Sequence, residues 1–136
     1  MAPTALQRSD LLVALMGAPH DNDMATTALR LVEASLAREA NVQVWTCGYA
    51  TMLTQKSLGD DKPRNLLDWQ THYPSVAEVI TGLVAQHPEH LRWYSCRFCS
   101  EERGATDHVD HVRLRPPFAF NKHVEAADTT VMMGVV

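Results

Sequence analysis

Cys96 and Cys99 form a C-x-x-C pair and are the residues of this sequence best suited to chemistry. Residues 91–94 before the pair, Leu-Arg-Trp-Tyr, predict a strand, and residues 100–103 after it predict a short helix that Gly104 stops. Unpaired backbone amides at the start of a helix favour a thiolate, which is the form of cysteine that attacks. The spacing therefore predicts a reactive thiol site at a strand-to-helix junction.

Two other features follow predicted strands and belong to the same part of a sheet. Cys47 comes directly after a short β-branched stretch, and the segment 17–20 follows the first apolar run and ends at His20. Reactive groups of an open parallel sheet gather outside the carboxyl ends of its strands. We therefore expect Cys47 and His20 to face the cysteine pair. For His20, a general-base or orienting role and an ordinary surface position both stay open.

A zinc site is an alternative interpretation of the cysteine pair. His108 and His111 supply an H-x-x-H pair downstream of Cys96 and Cys99. The gap between the two pairs is shorter than in common zinc modules, and the histidines are closer in sequence than the usual three to five residues. The segment 17–19 also lacks the repeated glycines and the lysine of nucleotide-binding loops. The sequence thus predicts no metal and no cofactor, and keeps zinc as the alternative.

Strand and helix patterns alternate along the chain, and this alternation predicts an α/β fold with a mostly parallel sheet of about five strands. Right-handed crossovers would place helices on both faces of such a sheet. Residues 51–72 carry turn residues and predict a long loop, with a helical turn at 65–69. The predicted strands are 11–16, 42–45, 91–94, 109–115 and 129–136, and the longer predicted helices are 24–36, 75–87 and 119–127.

Length and composition limit the classes of protein to consider. A chain of 136 residues fits one domain, 1–136, in which we expect residues 1–9 to be flexible. The net charge of −4 offers no positive field for nucleic acid. The longest apolar run, 11–16, is far below the roughly 20 residues that cross a bilayer. With three cysteines and no signal segment at its start, the chain is expected in the cytoplasm.

The layout of these features resembles the DsrE/DsrF-like family, which includes the TusD-like sulfur-relay proteins. The similarity extends from the first strand through residues 26–31 to the Cys96 junction that ends at Gly104, and then to the strand at 128–133. It covers most of the chain and is weakest over 51–72. The resemblance implies a three-layer flavodoxin-like α/β fold and assembly into homo- or hetero-oligomers.

The same resemblance implies a function for the cysteines. Active members of the family carry a persulfide on a cysteine, and Cys96 matches its position. The first hypothesis is therefore a sulfurtransferase-like carrier that takes sulfur from a donor protein onto Cys96 and passes it to an acceptor protein. The second is a dithiol redox or thiol-switch protein that uses Cys96 and Cys99. The third is a non-catalytic binding or assembly domain of the same fold.

Overall fold

The computed structural model describes residues 6–18, 23–62, 67 and 70–134. Five strands form one sheet in the order β4-β3-β2-β1-β5, and every neighbouring pair is parallel. The strands are β1 Ser9–Met16, β2 Val42–Cys47, β3 Leu91–Cys96, β4 Val112–Arg115 and β5 Ala127–Met133. The helices are α1 Met24–Leu36, α2 Val76–Gln86, α3 Arg97–Glu102 and α4 Phe120–Glu125, with 3-10 helices at Gly48–Thr54, Lys56–Leu58 and Pro117–Ala119. Among the described residues, no helix is both long enough and apolar enough to cross a membrane.

Apolar side chains alternate between the two faces of the sheet and build a core on each face. On one face, Val13, Val44 and Trp93 are buried in a cluster that also contains residues of α1 and α2. On the other face, Trp45 and Tyr94 pack with residues that include Ala119 and Phe120, at the start of α4. Burial of each large side chain stabilises the fold by roughly 1.5–3 kcal/mol. The result is the three-layer α/β arrangement predicted from the sequence.

The helix boundaries agree with the local chemistry of the sequence at two positions. Ser75 accepts a hydrogen bond from the Glu78 backbone N–H at 3.1 Å, so its side chain caps the start of α2. Gly104 has a φ of +69°, the left-handed conformation that glycine adopts easily where a helix ends. Asp23 is the N-cap residue of α1, but its side chain makes no capping hydrogen bond.

The prediction of a long loop over 51–72 is wrong for its first part. Residues 48–58 form the two 3-10 helices instead, and Thr51 and Thr54 are fully buried there. The Thr51 hydroxyl donates to the Gly48 carbonyl at 2.8 Å, which satisfies a backbone acceptor at the first turn. Polar composition indicated a surface loop, whereas tertiary packing buries these hydroxyls. Residues 63–66, 68 and 69, which include most of the predicted helical turn, lie outside the described residues.

A buried histidine forms the polar centre of the second core. His123 is fully buried, and its Nδ1 lies 2.8 Å from Gln43 Oε1. Arg115 Nε donates to His123 Nε2 at 3.4 Å, so the imidazole proton resides on Nδ1 and is donated to Gln43. Gln43 in turn donates to the Ser9 hydroxyl at 2.6 Å. Burial, together with the Arg115 charge, lowers the pKa of His123 from 6.5 to about 4.

We predict that stability falls with acidity because of His123. The folded chain binds the imidazole proton more weakly than the unfolded chain, so this contribution is complete above pH 6.5 and is lost as the pH falls through 4. Between pH 7.5 and 4.5 the free energy of unfolding should decrease by about 2–3 kcal/mol from this group. Urea unfolding at the two pH values measures the change.

His123→Gln should reduce that pH dependence, and the exposed His72→Gln serves as its control. The dependence that persists in His123→Gln belongs in part to His108, because burial also lowers the pKa of that histidine. An identical pH dependence in the wild type and His123→Gln would contradict the assignment.

Candidate three-thiol site

The structure brings all three cysteines into one cluster. Cys47 ends β2, Cys96 ends β3 and Cys99 lies in the first turn of α3. Their Sγ atoms all lie within 4.8 Å of one another, and the Sγ atoms of Cys47 and Cys99 are 3.4 Å apart. The cluster forms because β2 and β3 pair in parallel with Thr46 opposite Ser95, which sets the two strand ends side by side. The expectation that Cys47 faces the C-x-x-C pair is confirmed.

The three thiols differ in their access to solvent. Cys96 retains 1% of its possible exposure and Cys99 retains 9%, whereas Cys47 is half-buried. Two aromatic side chains next to the cluster are exposed: Phe98 at 60% and Tyr49 at 55%. The site is therefore a mostly enclosed sulfur cluster with an apolar rim.

Burial, backbone amides and neighbouring groups give the three thiols different pKa values. Burial alone would raise the pKa of Cys99, but the Gly48 N–H, the thiols of Cys47 and Cys96, and the Arg103 guanidinium together bring it below its ordinary value. Burial, reinforced by the Cys99 contact, raises the pKa of Cys47 to about 12. Cys99 is accordingly the thiol of the cluster that most readily becomes a thiolate.

Cys96 is at the start of α3, where the sequence predicted a thiolate, yet burial raises its pKa. The Cys99 N–H favours the Cys96 thiolate, but it does not offset the loss of hydration. Helix α3 has only six residues, so its dipole adds little. The structure therefore brings Cys96 and Cys99 together as predicted, and gives the more acidic thiol to Cys99.

Three buried hydroxyl groups lie next to the cysteines in sequence and link their backbones. Thr46 donates to the Ser95 hydroxyl at 2.9 Å, and the Ser95 and Ser100 oxygens are 3.5 Å apart. Ser100 is 3.1 Å from His108 Nε2, and Thr54 is 2.8 Å from His108 Nδ1. This hydroxyl layer, with its members Thr46, Ser95 and Ser100, connects the ends of β2 and β3 to α3. Sequence analysis missed it, although each member is adjacent to a cysteine.

The histidines do not join the thiols. His108 is held by the hydroxyl layer and Gln55, and His111 is exposed with a φ of 72°. Over the described residues, the cluster of metal-ligating side chains contains Cys47 with Cys96 and Cys99, and neither of these histidines. The Cys96, Cys99, His108 and His111 set of the zinc alternative is thus not assembled. His20 lies outside the described residues.

We predict that Cys99 reacts with iodoacetamide at a lower pH than its neighbours. Cys47, with a pKa of about 12, holds roughly one thiolate in ten thousand molecules at pH 8. Arg103→Gln should shift the Cys99 profile to higher pH, because it removes a charge that stabilises the thiolate. Peptide mass spectrometry after brief labelling across pH 6–10 gives the three profiles.

The exposed Arg97→Gln on the same helix is the matched control and should leave the Cys99 profile unchanged. Labelling of Cys96 before Cys99 would show that the assigned order of acidity is wrong.

Comparison with solved structures gives a fold likeness over nearly the whole chain. The chain is similar to the YchN protein of E. coli, with a TM-score of 0.72 and 18% identity. The alignment covers 93% of this chain and 99% of YchN. A scan against protein-family models and a search of curated proteins gave no match. This likeness and the five-stranded parallel sheet confirm the three-layer, flavodoxin-like α/β fold that the resemblance implied.

Proposed function

We propose that this protein is a sulfur carrier that accepts sulfane sulfur as a persulfide on its thiol cluster and passes it to a partner protein. The observation that carries the proposal is the Cys99 thiol, whose pKa is lowered within a cluster of three thiols at the carboxyl edge of the sheet. A thiolate is required to attack a donor persulfide. The sequence resemblance to the DsrE/DsrF-like family supports the same proposal, and the fold likeness to YchN is compatible with it.

The transfer is a thiol exchange that conserves electrons. The Cys99 thiolate attacks the outer sulfur of the donor persulfide, the donor S–S bond breaks, and the donor leaves as a thiolate. The product is a Cys99 persulfide. An acceptor thiolate then attacks the outer sulfur, and Cys99 departs. Its lowered pKa makes it the better leaving group, so the same feature assists loading and release.

Cys96 has the second role in this proposal. The resemblance assigns the persulfide to Cys96, which is almost fully enclosed, and its Sγ lies within 4.8 Å of the Cys99 Sγ. Sulfur that arrives on Cys99 can therefore pass to Cys96 without leaving the cluster. We propose Cys99 as the entry thiol and Cys96 as the holding thiol, where burial keeps the persulfide away from oxidants in solution.

Donor and acceptor proteins are the partners that the surroundings of the site favour. Phe98 is the residue before Cys99, and Tyr49 follows the Gly48 amide that contacts it; both rings are largely exposed. Aromatic side chains are enriched where protein interfaces bury their centres. Arg103 lies over the Tyr49 ring at 4.7 Å, so one edge of this rim is held in position. An apolar rim of this kind suits contact with a protein that presents a persulfide.

The test is mass spectrometry of the chain after incubation with a persulfide donor. The wild type should gain one sulfur on Cys96 or Cys99, and Cys99→Ser should load at least about tenfold more slowly, because the remaining thiols have raised pKa values. Cys96→Ser should load at Cys99 and lose the sulfur faster than the wild type. The exposed Arg97→Gln on the same helix is the matched control and should load normally.

No sulfur gain in the wild type would overturn the carrier proposal. Normal loading in Cys99→Ser, with loss in Cys96→Ser, would reverse the two roles.

A dithiol redox couple is the second candidate, and the 3.4 Å separation of the Cys47 and Cys99 Sγ atoms favours it. This pair differs from the C-x-x-C pair that the sequence indicated. A redox protein would form a reversible disulfide without transferring sulfur, and it would need both members equally. Titration with oxidised and reduced glutathione, followed by mapping of the disulfide, distinguishes this function from the carrier.

A further inference from the structure

In the part of the chain that the structure describes, the three sulfur atoms converge without a fourth metal-ligating side chain, and this arrangement suits a metal ion as well as a sulfur atom. We infer that Cys47, Cys96 and Cys99 form a three-coordinate site for a soft monovalent cation, and that Cu(I) is the ion it selects. Binding requires no sulfur transfer, so the inference is independent of the proposed carrier function. It also differs from the zinc set of cysteines and histidines that the sequence suggested.

The separations of the sulfur atoms fit a trigonal ion. A metal–sulfur bond of about 2.3 Å in a planar three-sulfur site sets sulfur–sulfur distances of about 4 Å. The Sγ atoms of Cys47 and Cys99 are 3.4 Å apart, and no pair is more than 4.8 Å apart, so every separation is within about 1 Å of this value or below it. Small rotations of the cysteine side chains are therefore enough to place one ion among the three sulfurs.

The lack of a fourth ligand among the described residues favours Cu(I) over zinc. Structural zinc sites are closed by four protein ligands, and catalytic zinc sites keep a position open to water. Both His108 nitrogens are occupied by hydroxyl groups, and among the described residues the cluster contains cysteines alone. Cys96 and Cys99 are nearly enclosed, which leaves little room for a coordinated water. Soft thiolates without nitrogen or oxygen ligands select Cu(I).

Donor groups around the cluster offset the negative charge of a thiolate site. The Gly48 N–H contacts the sulfurs of Cys47 and Cys99, and the Cys99 N–H contacts the sulfur of Cys96. Arg103 adds a positive charge near Cys99. Such outer groups orient metal ligands and stabilise the charge that the ion leaves uncompensated. The hydroxyl layer holds the three backbones at fixed separations, so the site is formed before the ion arrives.

A chain that carries a persulfide should not bind Cu(I) at this site, and a chain with bound Cu(I) should not accept sulfane sulfur, because both use the same thiols. Each Cys→Ser change removes one of three ligands and should weaken Cu(I) binding by more than about tenfold, a loss that even outer-sphere partners can produce. His111→Asn is the matched control: it removes a metal-ligand type outside the cluster and suits the positive φ at that position. This control should leave the affinity unchanged.

The experiment is an anaerobic titration of the reduced full chain with Cu(I) in competition with a chromophoric Cu(I) chelator. We expect one ion per chain in the wild type and in His111→Asn, and weaker binding in each cysteine variant. Thermal unfolding identifies any variant that fails to fold. If a cysteine variant fails to fold, X-ray absorption at the copper edge of the wild type gives an independent test. It should show three sulfur ligands and no nitrogen.

Two results would overturn the inference. One is the failure of the wild type to retain Cu(I) against the chelator. The other is copper coordination by nitrogen, or equal weakening in His111→Asn, because either would place the ion outside the three-thiol cluster.

Discussion

The parallel pairing of β2 with β3 is the constraint on which the candidate site depends. Thr46 pairs with Ser95, so the next residues, Cys47 and Cys96, end neighbouring strands at the same level. A slip of one residue would turn every side chain of a strand to the opposite face of the sheet. Buried residues such as Trp45 and Tyr94 prevent that slip, because they would then exchange places with Thr46 and Ser95. Core packing therefore fixes the cysteines more firmly than any contact they make themselves.

The hydroxyl layer extends this constraint from the strands to α3. Its members are fully buried, and a buried hydroxyl without a partner costs about 1–3 kcal/mol. The Thr46 hydroxyl donates to the Ser95 hydroxyl, which contacts the Ser100 hydroxyl, and Ser100 contacts His108. Each buried hydroxyl therefore has a polar partner. Because any shift of α3 would break several of these bonds at once, Cys99 is held against Cys47. The order of acidity among the thiols follows from this fixed geometry, since it aims the Gly48 amide at Cys99.

Local patterns in the sequence were sufficient for the fold and for part of the site. The apolar run of β1 and the glycine at 104 act over a few residues, and each is found where it was predicted. The helix predicted over 75–87 begins at Val76, with Ser75 as its cap. The convergence of Cys47 with the C-x-x-C pair followed from topology alone. The more acidic thiol could not be predicted, because it depends on Gly48 and Arg103, which lie in different segments. The buried 3-10 helix of 48–54 was missed for the same reason: its hydroxyls match a loop until tertiary contacts enclose them.

Sulfur transfer and metal binding require different properties of the same three thiols. The thiols differ in burial and acidity, so each can meet a different requirement. An entry thiol must be acidic, and Cys99 has the lowered pKa of the cluster; it keeps 9% of its possible exposure, whereas Cys96 keeps 1%. A holding thiol benefits from enclosure, as at Cys96, and that enclosure also disfavours water as a metal ligand. Cys47 contributes differently to the two proposed functions. Its high pKa makes it a poor nucleophile for sulfur transfer, whereas its Sγ is the third sulfur ligand of the proposed metal site. In the proposed carrier Cys47 acts only by lowering the pKa of Cys99, whereas in the proposed metal site it is a ligand, so the two functions use this thiol in different ways.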